Sequence, residues 1–117
     1  VYGTHALTAT LPDQSNGYGT SWLALAPDGM QNGSPDGLAL VCAGVVVQFL
    51  SYEGTIVADG GAAAGMTSVS IGVAESSSAP VGTSLQLTGA GNAYASFIWA
   101  AEVAATPGAP NAGQTFL

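Results

Sequence analysis

Residues 38–50, LALVCAGVVVQFL, are apolar or glycine at twelve of thirteen positions, and this run decides the fold. The run is shorter than the about 20 apolar residues that a membrane helix needs, and Gln48 interrupts it. Three successive β-branched residues at 45–47, together with Gly44, disfavour a helix and favour a strand. We therefore predict one central strand with a bend or bulge at Gly44, and no insertion into a membrane.

Both faces of this predicted strand are apolar, because side chains alternate between the two faces of a sheet. The second face would hold Val41, Val45, Val47 and Phe49. The outer face of an antiparallel sheet is normally polar, and a large exposed apolar patch marks an interaction site. We predict that this face is an assembly interface between chains. The alternative is that the chain's own termini cover it.

Short β-prone segments separated by turns of Gly, Pro and Asn recur along the chain. The predicted β segments are residues 20–26, 38–52, 55–59, 66–75, 84–88 and 94–103, the last with a short helix as its alternative. Glu53-Gly54, between the second and third of these, predicts a hairpin or tight turn. This spacing is typical of an all-β fold, and we predict a single-domain antiparallel β-sandwich, Ig-like or jelly-roll. We place this domain at residues 12–105, with an N-terminal strand or arm at 1–11 and a flexible C-terminal tail at 106–117.

Two further predictions concern burial. Residues 66–75 alternate most regularly, which predicts a half-buried strand whose valines and isoleucine, Val69 and Ile71 among them, form the apolar face opposite Ser68 and Ser70. The single cysteine, Cys42, lies inside the apolar run and is expected to be a small buried hydrophobe. One cysteine cannot form an internal disulfide, so the chain is not a disulfide scaffold.

The charge composition excludes several classes of function. The chain has no lysine or arginine, seven acids and a net charge of −7. Nucleic-acid binding and attachment to anionic membranes both depend on basic residues, and phosphoryl transfer needs cations around the phosphate. Only 6% of the residues are charged, so the surface consists largely of small polar residues. Such a weakly repulsive surface suits a protein that packs against copies of itself.

The sequence offers little catalytic chemistry. His5 is the only imidazole and lies on the predicted arm. The serines lack the G-x-S-x-G context of a nucleophile elbow, and the acids are scattered singly. Residues 28–36 offer oxygen ligands at alternate positions but lack the spacing of an EF-hand calcium loop, so we interpret them as a turn-rich loop. We therefore expect no enzymatic activity, no catalytic residue, no metal site and no cofactor.

Both termini fit a role in assembly. Residues 1–11 are β-prone and could pair along the open edge of a neighbouring chain, with Tyr2 and Leu7 as apolar contacts. The polar tail ends in Phe116 and Leu117, which could act as an apolar plug. The alternatives are an edge strand within the same chain and a frayed tail.

Together these features predict a non-enzymatic structural subunit of a repetitive assembly, located on a virion surface or otherwise extracellular. The preferred form is a viral capsid decoration or cement protein, whose partners are copies of itself, a viral capsid protein or both. A secreted filament or surface-layer subunit that assembles by strand exchange is the first alternative. The second is a carbohydrate-binding β-sandwich module whose stacking platform would come from the aromatic residues Trp22, Trp99, Tyr2, Tyr18, Tyr52 and Tyr94. Core packing is the favoured role of both tryptophans.

Overall fold

A computed structural model of the chain describes residues 3–27, 29–30 and 33–117. These residues fold as two compact units, and the structure is mostly β with almost no helix, as the sequence predicts. The first unit comprises the described residues up to Ala6 and within Leu25–Gly72, and the second comprises Leu7–Ala24 and Val73–Leu117. Each unit joins segments that are distant in sequence.

The sheet of the first unit has the strand order β1-β2-β3. Strands β1 (Asp36–Cys42) and β2 (Val45–Tyr52) pair antiparallel, and β3 (Val69–Ser70) pairs parallel with β2. The run predicted to be one bent strand is therefore a hairpin. The predicted antiparallel arrangement is found in the two long strands and not in the two-residue edge strand.

The turn of this hairpin consists of Ala43 and Gly44, which both have positive φ, at 48° and 79°. Positive φ at both central residues is the requirement of a type I′ turn, whose twist matches that of two adjacent antiparallel strands. Glycine adopts this conformation freely, whereas alanine is uncommon there. Gly44 therefore marks a reversal of the chain rather than a bend within one strand.

Replacing Ala43 with asparagine is expected to stabilise the first unit. A left-handed conformation costs an ordinary L-residue about 1–2 kcal/mol, and Asn-Gly is a preferred type I′ pair. Because asparagine relieves part of that cost, we expect Ala43→Asn to raise the free energy of unfolding by about 0.5–1 kcal/mol. Urea unfolding followed by circular dichroism measures the change. The exposed Ala62, which does not have positive φ, provides the control Ala62→Asn, and equal effects of both substitutions would contradict the turn assignment.

A β-bulge in β2 changes which side chains face inward. Leu40 pairs with Gln48 and Val41 pairs with Val46, so Val47 is an extra residue with no partner opposite it. An extra residue shifts the alternation of the bulged strand. Phe49 is consequently buried, at 9% exposure, whereas Val45 and Val47 remain 66% and 61% exposed. The prediction that these three share one outer face is wrong for Phe49.

Buried serines accompany the small apolar core of the first unit. Among the described residues the buried apolar side chains are Phe49 and Ala63. Ser51 and Ser68 are also buried, and the Ser68 hydroxyl donates to Ser51 Oγ at 2.6 Å. Ser68 is buried and Ser70 is half-buried, whereas Val69 between them is 64% exposed. The predicted apolar face of residues 66–75 is reversed here, because hydrogen bonds satisfy the inward hydroxyls.

The sheet of the second unit has the strand order β5-β4-β6. Strands β4 (Thr83–Gly91) and β5 (Ile98–Ala104) pair antiparallel, and β6 (Gln114–Phe116) pairs parallel with β4. A 3₁₀ turn, Tyr94–Ser96, precedes β5. The strand predicted at 84–88 is confirmed, and the segment 94–103 contains both a helical turn and a strand.

Other predicted strands differ from the structure. Residues 20–26 form no strand, and the Thr20 amide donates to the side chain of Gln14 at 2.8 Å rather than to a ladder. The segment 66–75 contributes only β3, because Gly72 with φ 75° turns the chain out of extended geometry. Within the predicted tail, Gln114–Phe116 forms β6, which pairs with β4.

Candidate functional site

The β1–β2 hairpin presents an exposed apolar surface, which we call the hairpin patch. Its members are Leu38, Leu40, Val41, Val45 and Val47, each at least two-fifths exposed. Residues two apart in β1 share a face, and Cys42 lies directly opposite Val45. The register therefore places Leu38 and Leu40 on the same face as Val45. Val41 pairs with Val46 and so lies on the opposite face, and Val47 is the extra residue of the bulge. Exposed apolar side chains concentrated in one hairpin are typical of an interaction site.

The outer edge of β1 is unprotected. β1 is the first strand of its sheet, and no other strand of the described residues pairs with its second edge. Natural edge strands are usually blocked by lysine, proline, inward charges or a bulge in the edge strand itself. The sequence of β1, DGLALVC, contains none of these except Asp36 at its start. Its backbone N–H and C=O groups can therefore pair with an added strand.

Charge is confined to the open end of the hairpin. Asp36 lies opposite Tyr52, and Glu53 follows directly. Partial burial raises the pKa of the Tyr52 hydroxyl, and the neighbouring carboxylates of Asp36 and Glu53 add to the increase. Residues 37–52 carry no charged side chain. Association through the turn end of the hairpin patch would consequently bring no carboxylates directly together.

Cys42 is exposed, which corrects the prediction that it is buried. The residue ends β1 next to the turn at Ala43 and Gly44, where it has no covering strand among the described residues. The prediction was wrong because a single continuous strand through this run would place Cys42 in the middle of a sheet rather than at a strand end. The thiol therefore lies beside the hairpin patch and can report on its accessibility.

The predicted interface residues at the termini have different surroundings. Leu7 and Leu117 are exposed, at 64% and 68%. Phe116 is half-buried in β6, where its ring stacks on Tyr18 with a centroid distance of 4.7 Å and meets Phe97 edge-on at 5.7 Å. Phe116 is thus part of the packing of its own unit and not a free plug. Tyr2 lies outside the described residues.

Residues 3–11 are the most open part of the described chain. None of them belongs to a strand or helix, and every one is exposed. The segment reads GTHALTATL, so apolar residues at 7, 9 and 11 alternate with threonines at 8 and 10. Alternation of β-branched and apolar residues is the pattern of a strand that lies on one apolar surface. We call residues 3–11 the arm.

The titratable side chains are the remaining candidates for a site within the described residues. No group of three or more His, Cys, Asp or Glu side chains lies together there in a way that could hold a metal ion. His5 is exposed on the arm. The Glu102 carboxylate accepts a hydrogen bond at Oε1 from the Ser76 amide at 2.9 Å. Hydrogen bonds from the Ser76 side chain and amide lower the pKa of this carboxyl group.

Comparisons of the chain with protein families, curated proteins and solved structures found no match. In the described ranges, no helix has the length and apolar character needed to cross a membrane. The hairpin patch and the open edge of β1 are therefore the features from which a function is inferred.

Proposed function

We propose that this chain is a non-enzymatic structural subunit that associates with copies of itself through the hairpin patch and the open edge of β1. The observation that carries the proposal is the coincidence of the two features in one hairpin. The edge offers unpaired backbone groups, and the same strands expose Leu40 and Val47 beside it. Strand addition supplies main-chain hydrogen bonds, and apolar side chains supply the free energy of burial.

The energetics favour a repeated contact over an isolated pair. Complete burial contributes about 1.5–3 kcal/mol for each large aliphatic side chain, so the three that share a face, Leu38, Leu40 and Val45, contribute about 4.5–9 kcal/mol. Association costs about 4–15 kcal/mol in lost freedom of motion. A single contact is therefore of modest strength, and a lattice in which each subunit makes several contacts gains strength through effective concentration.

The arm supplies a strand that can be exchanged. It is exposed along its length, forms no strand in its own chain and carries no carboxylate. Pairing with the β1 edge of a second copy would place its alternating apolar residues, such as Leu7 and Leu11, over an apolar surface. The occupant of the edge in this proposal is therefore the arm of another copy.

Several finer predictions belong to the same proposal. They are a β-sandwich architecture, a position on a virion surface as a capsid decoration or cement protein, and contact with a viral capsid protein. A secreted filament or surface-layer subunit would use the same hairpin patch and arm. Electron microscopy of the assembled protein separates the two forms, because closed lattices and open fibres follow from different symmetries of one interface.

The reactivity of Cys42 tests the proposal directly, because Cys42 is the only cysteine of the chain and lies beside the hairpin patch. We expect maleimide to label Cys42 rapidly in dilute protein and slowly in protein that light scattering shows to be assembled. Association should strengthen with added salt, which screens the net charge of −7. Urea-unfolded protein gives the labelling rate of the free thiol. A monomer at all concentrations, or an assembly in which Cys42 stays fully reactive, would contradict the proposal.

A further inference from the structure

The second unit contains a cleft of about 330 Å³, a volume at the lower end of the range for small-ligand sites. Three stretches line it, 20–22, 84–86 and 105–109, together with Asn111. None of the lining residues is charged. The walls instead combine one indole ring with hydroxyl and amide side chains. A ligand for such a cleft is small, uncharged and able to make several hydrogen bonds.

One side chain, Gln14, connects two walls of the cleft. Its Nε2 donates to the carbonyl oxygen of Gly108 at 2.6 Å. Its Oε1 accepts from both the amide and the hydroxyl of Thr20, at 2.8 and 2.9 Å. The segment that carries Trp22 and the loop that carries Gly108 are therefore held at a fixed separation. Fixed walls reduce the ordering cost of binding.

Trp22 forms an aromatic surface on this framework. Its indole edge lies against Gly108, where a Cβ atom would meet Cδ1 at 3.1 Å and Nε1 at 3.4 Å. Gly108 has φ 75°, so glycine is favoured at this position for two reasons. Trp22 is nevertheless 61% exposed. A large aromatic ring whose edge packs against the protein and whose remaining surface is exposed to solvent is a typical stacking surface for a ligand.

Two buried polar atoms of the cleft residues lack hydrogen bonds to the described part of the chain. Gln86 is only 3% exposed, and its Nε2 donates to Ser84 Oγ at 2.9 Å and to the Ala104 carbonyl oxygen at 2.8 Å. Its Oε1 has no partner, and neither does Thr106 Oγ1. Leaving a buried polar group unpaired costs about 1–3 kcal/mol. Both atoms lie beneath the surface of the cleft, so the groups open to a ligand include the exposed side chains of Ser21 and Trp22.

We propose that this cleft binds a neutral pyranose ring, with the apolar face of the sugar on Trp22 and its hydroxyl groups directed to the uncharged polar side chains that line the cleft. Anionic sugars are disfavoured because the chain has no cation among its side chains and a net charge of −7. A quaternary ammonium ligand would be better served by several aromatic rings, whereas Trp22 is the only aromatic residue that lines the cleft. The inference does not depend on self-assembly, because the hairpin patch belongs to the first unit.

The test is a titration followed by the indole N–H signals in ¹H–¹⁵N spectra. The probes are uncharged methyl pyranosides of the gluco, manno, galacto and N-acetylglucosamine series and their uncharged oligosaccharides. Trp99 provides an internal reference, because its Nε1 is bonded to the Tyr94 hydroxyl at 2.9 Å and it does not line the cleft. We expect at least one sugar series to shift the Trp22 signal in a saturable way and to leave the Trp99 signal unchanged.

Variants complete the test. Trp22→Ala should weaken binding about tenfold or more, as expected for a lost aromatic contact. Gly108→Ala should weaken it as well, because the added methyl group displaces the indole. Leu23→Ala, an exposed neighbour of Trp22 outside the cleft lining, is the matched control and should bind as the wild type does. Circular dichroism confirms that each variant is folded. The proposal is overturned if no sugar shifts Trp22, if Trp22→Ala binds equally well, or if tetramethylammonium gives the response and sugars do not.

Discussion

The double substitution Leu40→Lys with Val47→Lys is expected to convert the assembled protein into a monomer. Both side chains belong to the hairpin patch, one on the open edge strand and one at the bulge. Each buried aliphatic side chain contributes about 1.5–3 kcal/mol, and about 1.4 kcal/mol corresponds to tenfold in an equilibrium constant. Loss of two should therefore weaken association at least about a hundredfold. Lysine adds a charge that an apolar interface cannot accept, and it is the residue with which edge strands are commonly protected.

Sedimentation and light scattering at matched concentrations measure this change. The control is Leu23→Lys with Val81→Lys, which makes the same two replacements at exposed positions of the second unit. It adds the same charge to the chain but leaves the hairpin patch intact. If both double variants lose assembly equally, the effect comes from net charge and not from the patch. If the Leu40 and Val47 variant still assembles, association occurs elsewhere on the chain.

The hairpin shows how far the sequence alone could predict the structure. The apolar run and its β-branched residues predict strand geometry, and strands are present on both sides of Gly44. The chain reversal was missed because alanine precedes Gly44, and the usual type I′ signal is Asn-Gly or Asp-Gly. The bulge at Val47 has no sequence signal of its own. Simple alternation therefore assigned Phe49 to the surface, although its side chain is buried.

The cleft illustrates a different limit. The sequence favours core packing for Trp22, with a sugar platform as the alternative, whereas the structure leaves its ring 61% exposed. The residues that surround it could not be predicted, because stretches near positions 14, 86 and 108 come together only in the folded chain. Gln86 lies in a segment that reads as an ordinary alternating strand. Its buried and partly unpaired amide is a property of the tertiary structure, and no local pattern indicates it.

The exclusions drawn from composition do not depend on the fold. A chain without lysine or arginine has no side chain that stays positively charged, whatever its topology. The arguments against nucleic-acid binding and phosphoryl transfer therefore rest on residue types alone. The predicted structural role depends in addition on which apolar side chains are exposed. That information came from the register of β1 and β2 and from the position of the bulge.

Ser68→Ala is expected to destabilise the first unit. The Ser68 hydroxyl accepts a hydrogen bond from the Ile56 amide at 2.9 Å and donates one to Ser51 Oγ at 2.6 Å. Ser51 Oγ in turn donates to the Gly54 carbonyl oxygen at 2.7 Å. Removing the central hydroxyl leaves the Ile56 N–H without that acceptor, at a cost of about 1–3 kcal/mol. This is a large share of the stability of a unit with so small an apolar core.

Hydrogen exchange locates the effect within the first unit. The Ile71 amide donates to the Ser51 carbonyl oxygen at 2.8 Å, and the Ser68 amide donates to the Ile56 carbonyl oxygen at 2.9 Å. We expect both amides to exchange about 5- to 30-fold faster in Ser68→Ala, corresponding to about 1–2 kcal/mol. Ser70→Ala is the matched control, because the hydroxyl of Ser70 makes only a 3.4 Å contact with the Gly72 amide.

The double variant Ser51→Ala with Ser68→Ala should lower the free energy of unfolding by less than the sum of the two single changes, because the two hydroxyls share one hydrogen bond. Strict additivity, or a Ser68→Ala variant no less stable than Ser70→Ala, would show that the two buried serines do not act as a network.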